Sequence, residues 1–224
     1  NYALSSAFPA LMRKVFVWMT LALAITGITA FGVATSPALI SAIFGSKVLF
    51  WGLIIAEFAL VMGISGAISR MSLSTATLLF VLYSVVNGAT LSVIFLAFSM
   101  SVIAKTFFIT AGTFGVMALV GYTTKTDLTS MGKLLFMALL GLIIATVVNL
   151  FVQSTGFDLI ISYVGVLIFV GLTAYDTQKM KQMCLEAPNG VEMSHKLALL
   201  GALTLYLDFI NLFLYLLRIF GRKE

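Results

Sequence analysis

Seven long apolar runs, separated by short polar breaks, dominate the chain: Val15–Ala34, Val48–Ser69, Thr75–Phe98, Phe107–Tyr122, Leu134–Val152, Leu159–Tyr175 and Leu197–Leu217. A helix that crosses about 30 Å of hydrocarbon needs about 20 such residues. None of the runs alternates strictly between apolar and polar positions, so a closed barrel is excluded and each run predicts a spanning helix. The predicted architecture is all-α, a polytopic membrane protein in which residues 1–224 form a single transmembrane helical domain. Connections are short, and the longest predicted one, from Asp176 to Lys196, leaves no room for a soluble domain. The first run is long enough to span and reads as a helix rather than a cleaved signal.

Composition strengthens the membrane reading. Hydrophobic residues make up 61% of the chain and charged residues 9%, where soluble domains have about 45–50% and about 25%. Mean hydropathy is +1.14. Cys184 is the single cysteine and His195 the single histidine, which excludes an internal disulfide and the usual zinc or haem site. Both are predicted to be bystanders in the loop before the last span.

The net charge of +5 does not point to nucleic acid, because the basic residues sit between apolar runs, where headgroups and cytoplasmic loops favour them. Arg13, Lys14, Arg70, Lys125, Lys133, Lys179, Lys181 and Lys196 fall on the N-terminal side; Lys47, Lys105, Arg218, Arg222 and Lys223 fall on the other. Eight against five predicts a cytoplasmic N-terminus. Trp18 and Trp51 read as interfacial anchors. The sets Gly63/Gly66/Ala67, Gly112/Gly115 and Gly165/Gly171 read as close helix packing.

Acidic residues inside the spans carry the candidate chemistry. A carboxylate in mid-helix costs about 2.5–3.5 kcal/mol on insertion scales, so it is expected to face the interior with a partner or water. Glu57, Asp176 and Asp208 meet this description, whereas Asp158 reads more simply as a loop or cap residue. Asp208 belongs to a stripe of small and polar residues, Gly201, Thr204, Asp208, Asn211, Tyr215 and Arg218, such as a helix lining a hydrated path would show. The opposite faces, with Leu203, Phe209, Ile210, Phe213 and Leu217, suit lipid or packing. Asp176 is predicted to end the sixth span, where solvation at headgroup level beside Lys179 and Lys181 is the simpler reading.

Should Asp176 and Asp208 meet, the two carboxylates cannot both ionise cheaply and would share a proton. Such a pair latches two helices in a pH-dependent way, and fully ionised it would attract a hard cation such as Ca²⁺. The predicted spans place Asp176 at the cytoplasmic edge and Asp208 about 17 Å deep, so the pair needs tilt or an earlier start to the last helix.

Ala174-Tyr175-Asp176-Thr177-Gln178 and Leu205-Tyr206-Leu207-Asp208-Phe209-Ile210-Asn211-Leu212-Phe213 resemble the two C-terminal signature segments of the Bax inhibitor (transmembrane Bax inhibitor motif) family. The chain looks like a compact bacterial member, which implies residence in the bacterial inner membrane. The resemblance further implies a seven-helix bundle with the last helix central, and a pH-sensitive calcium leak channel without enzymatic activity or bound cofactor. By the same resemblance Asp176 and Asp208 form the proton-sharing pair and a possible Ca²⁺ site. The resemblance also puts Glu57 in the calcium path, where the polar stripe adds Asp208 and Asn211, and makes Arg70 the arginine that locks the closed pore. Expected partners are the lipid bilayer, Ca²⁺ and protons, with a membrane protease as a further possibility.

Other readings fit the residues less well. An intramembrane aspartyl protease would need Gly-x-Gly-Asp where Leu205-Tyr206-Leu207-Asp208 stands, and a later Pro-Ala-Leu segment, whereas the prolines are Pro9, Pro37 and Pro188. A rhomboid-type serine protease at Gly63-Ile64-Ser65-Gly66 would have to recruit His195 as its base. A proton-coupled secondary transporter fits the buried acids, though the chain shows no internal repeat and no proline within a span. A regulator of a membrane protease, its acids purely structural, completes the set.

Overall fold

A computed structural model describes residues 2–186 and 191–221. Pro188, and the Arg222 and Lys223 counted in the charge balance, lie outside the described residues. Among the described residues the chain is helical throughout, with no strand: α1 (Tyr2–Ala34), α2 (Pro37–Gly45), α3 (Lys47–Ala67), α4 (Leu73–Leu91), α5 (Ile94–Ala97), α6 (Met100–Thr123), α7 (Thr129–Val152), α8 (Thr155–Glu186) and α9 (Val191–Phe220). Among the described residues seven stretches are long and apolar enough to cross a membrane, and each contains or overlaps one predicted run.

Local chemistry explains where the helices depart from the apolar runs. The short helix α2 was not anticipated; Ser36 caps it by accepting from the Leu39 N–H at 3.4 Å, and Pro37 takes its first turn. Ser46 caps α3 in the same way at Leu49. The third run is interrupted at Ser92, whose hydroxyl donates to the Ala89 carbonyl at 2.7 Å, separating α4 from α5.

The largest departure concerns the sixth and seventh spans. Asp176 does not end a helix, because α8 continues to Glu186, and α9 begins at Val191 rather than Leu197. The predicted Asp176–Lys196 loop is therefore mostly helix, with Cys184 on α8 and His195 on α9. Hydropathy missed the extension because its polar residues are satisfied within the fold. Thr177 and Gln178 are buried, while Lys179 is exposed.

Two compact units make up the chain, Asn1–Ser99 with Met183–Tyr206, and Met100–Gln182 with Leu207–Glu224. Helix α9 gives its first half to one and its second half to the other. In the first unit α1 packs on α4, α2 and α5, and α3 packs on α4 and α2. Trp18 meets Phe80 edge-on, and Phe31 meets Phe95 likewise. In the second unit α6 buries Val102, Thr106, Thr110, Phe114, Ala118 and Gly121, one face at helical spacing. Phe209 of α9 lies edge-on to both Phe107 and Phe114, with centroids 5.5 Å away in each case.

Burial differs sharply between spans. The apolar window of the last span is 67% buried, against 6% for those of α3 and α7. The faces of α9 carrying Leu203, Phe209, Ile210, Phe213 and Leu217 pack against protein and do not meet lipid, since none is more than 8% exposed.

Candidate functional site

The site in the second unit is built on Ala174–Gln178 of α8. Ala174 sits directly against Gly121 of α6, where any Cβ would collide with the Ala174 carbonyl oxygen. The Tyr175 ring lies on Gly132 of α7, again in the space a Cβ would need. Thr177 and Thr173 return their hydroxyls to the carbonyls of Thr173 and Phe169, so both are satisfied within α8. Gln178 accepts from the Leu128 N–H and donates to the Thr126 carbonyl, each at 2.8 Å, and so pins the segment joining α6 to α7. Asp127, in that segment, accepts from the N–H and hydroxyl of Thr129, which holds its carboxyl below the usual range. That contact is therefore present at neutral pH and lost as the pH falls through the depressed value.

Held in this way, Asp176 faces Asp208 of α9, with the two carboxyls close enough to share a hydrogen bond. Ionised carboxylates only accept, so a bond between them forms only when the pair carries a proton. Asp208 is 5% exposed, and its Oδ2 is buried with no hydrogen-bond partner among the described residues. An unsatisfied buried oxygen of this kind is costly, and more so once charged. Among the described residues the cation facing Asp176 is Lys179, on the same helix and also over the Tyr175 ring.

In the first unit Glu57 of α3 is half-buried and accepts from the Thr90 hydroxyl of α4 at 2.5 Å. One turn earlier, the Asn87 amide donates to the Tyr206 hydroxyl of α9 at 2.7 Å. The Tyr206 oxygen accepts that proton and donates its own to Thr26 Oγ1 of α1 at 2.6 Å, because the Thr26 hydroxyl in turn donates to the Ser84 carbonyl. Gly88 lets α1 come this close; a Cβ there would lie 2.7 Å from the Thr26 carbonyl oxygen. Tyr206→Phe should destabilise the fold by about 1–3 kcal/mol, because it strands the buried Asn87 donor. Thermal unfolding in detergent, compared with Tyr163→Phe at an exposed position, would check this.

The structure thus joins Asp176 to Asp208 and gives Glu57 a partner. Arg70 is exposed in the turn that follows α3. Asn211 donates back to the Leu207 carbonyl of its own helix at 2.8 Å. Asp158 falls in the first turn of α8 and pairs with Arg218 at 3.5 Å, with Arg218 also lying over the Tyr215 ring. Thr90, Asn87 and Tyr206 were missed. Ser84, Asn87 and Thr90 recur every three residues inside the third run, a polar stripe at helical spacing that could have revealed them.

Comparison with known proteins places these residues in a family. The family described as inhibitor of apoptosis-promoting Bax1 matches residues 9–224. The chain is 48% identical over 214 residues to the inner membrane protein YbhL of Escherichia coli K12, covering 95% of this chain and 92% of YbhL. An uncharacterized protein of Borreliella burgdorferi is 46% identical over 213 residues, with 95% and 92% covered. The protein RP147 of Rickettsia prowazekii is 44% identical over 217 residues, with 95% and 89% covered. With seven apolar helices and a family match over nearly its whole length, this chain is a multi-pass membrane protein that belongs to the Bax inhibitor family.

Proposed function

We propose that this protein is a pH-sensitive calcium leak channel of the bacterial inner membrane, with a cytoplasmic N-terminus and no enzymatic activity. The observation that carries the reading is the approach of the Asp176 and Asp208 carboxyls on α8 and α9, close enough for a single proton to bridge them. Losing that proton turns a hydrogen bond into a repulsion between the half-buried Asp176 and the buried Asp208 and changes how the helices meet. Once both are ionised, their oxygens suit a hard divalent cation in transit. Glu57 and Asn211 line the ion's route in this reading, and the exposed Arg70 is free to meet a carboxylate when the helices shift. The inner-membrane location follows YbhL, whose name states it.

Calcium entry into proteoliposomes, followed from roughly pH 6 to 8, tests the proposal over the range a buried carboxyl pair can reach. We expect flux that depends on pH. Glu57→Gln should lower it roughly three- to tenfold at every pH while the shape of the profile survives, as for a charge lining a path rather than gating it. Wild-type flux no greater than that of protein-free vesicles at any pH would overturn the channel and favour a proton-coupled transporter or a regulator of a membrane protease.

A further inference from the structure

The proton-sharing reading uses one residue of Ala174–Gln178, yet the structure gives its neighbours specific tasks. Ala174 and Tyr175 fix the rotation of α8 against Gly121 and Gly132. Gln178 lies two residues beyond Asp176 and is 8% exposed. Its amide uses both ends on the α6–α7 segment, accepting from Leu128 and donating to Thr126. A buried side-chain amide satisfied at both ends by backbone behaves like one rung of a sheet, rigid in distance and direction. The charged groups facing Asp176 are Asp208 from α9 and Lys179 from its own helix, and neither ties α8 to α6 or α7.

We propose that Gln178 is a positioning residue for the carboxyl pair: by clasping Thr126 and Leu128 it sets the height and rotation of α8 at which Asp176 meets Asp208. The α6–α7 segment, which also carries Lys125 and Asp127, is then mechanically part of the gate, and whatever displaces it from outside loosens the pair. This inference rests on the proton-sharing reading of Asp176 and Asp208.

The test measures the clasp and the pair separately, without ion flux. Hydrogen exchange at the Leu128 amide reports the clasp. Infrared spectroscopy reports the pair through the protonated-carboxyl band, identified as the one lost in Asp208→Asn. In Gln178→Met we expect Leu128 exchange about tenfold faster and the carboxyl band shifted to higher frequency, as weaker hydrogen bonding of a carboxyl produces.

Leu128→Pro attacks the same bond from its other end. It removes the N–H at a residue whose φ of −88° lies near the proline value and leaves α8 untouched, so it keeps the test alive if Gln178→Met does not fold. It should give the same band shift, and the double variant should shift the band no further than either single one. Faster exchange with an unmoved band would overturn the proposal, making Gln178 a loop anchor only. Unchanged exchange in Gln178→Met would also overturn it. A wild type with no protonated-carboxyl band assignable to Asp208 would instead overturn the proton-sharing reading, and the inference with it.

Discussion

Asp208→Asn should give a folded protein whose calcium flux no longer follows pH. The asparagine amide donates to Asp176 at every pH, so the variant mimics the singly protonated pair permanently. A gate worked by one proton changes flux by up to about tenfold per pH unit through its titration. In the variant we expect less than about a twofold change across the same range. Asp176→Asn should flatten the profile in the same way, because the titration belongs to the pair and not to either residue. The double asparagine variant should then add nothing to either single one, the signature of groups acting as a unit. A wild-type profile retained by either single variant would show that the pair is structural and that the pH sensor lies elsewhere. Folding is not at stake in these variants: the amide keeps the volume and the interhelical bond while removing a buried ionisable group.

Much of this was visible in the amino-acid order, for reasons that differ between elements. The seven spans are legible because hydrocarbon imposes a length and an apolar composition that nothing else in the chain imitates. The extension of α8 was not legible, because its polar residues look like a loop to any hydropathy reading. They are helical because tertiary partners receive them, Gln178 on the α6–α7 backbone and Asp176 on Asp208. That extension, with the earlier start of α9, also narrows the depth mismatch between the two aspartates, from about 17 Å to about 10 Å. Asp176 lies about 15 Å before the end of α8 and Asp208 about 25 Å after the start of α9, so tilt has only the remaining difference to supply. Glu57 was legible as an acid inside a span. Its partner Thr90 was not, because a threonine in a helix ordinarily returns its hydroxyl to the preceding turn, and only the fold shows α3 beside α4.

Glycine shows the same limit in the form with the largest expected stability effect. Gly112 and Gly115 share α6 with Gly121, and sequence reading selected the first two as the packing pair. The structure reverses this: a Cβ at Gly112 or Gly115 would have nothing within 4 Å, as at Gly63 and Gly66, while one at Gly121 would strike the Ala174 backbone. The same substitution on one helix should therefore have opposite signs. Gly121→Ala has no flexible side chain to push aside and must separate α6 from α8, with an expected loss of about 3 kcal/mol or more. Gly112→Ala should be neutral or should stabilise by up to about 1 kcal/mol, because alanine restricts the unfolded chain and favours the helix. Thermal unfolding of both variants in one detergent measures the difference directly. Equal stabilities would mean that the α6 backbone does not abut Ala174 at Gly121. The seat that orients Asp176 would then have to be sought on α7, where Gly132 receives the Tyr175 ring.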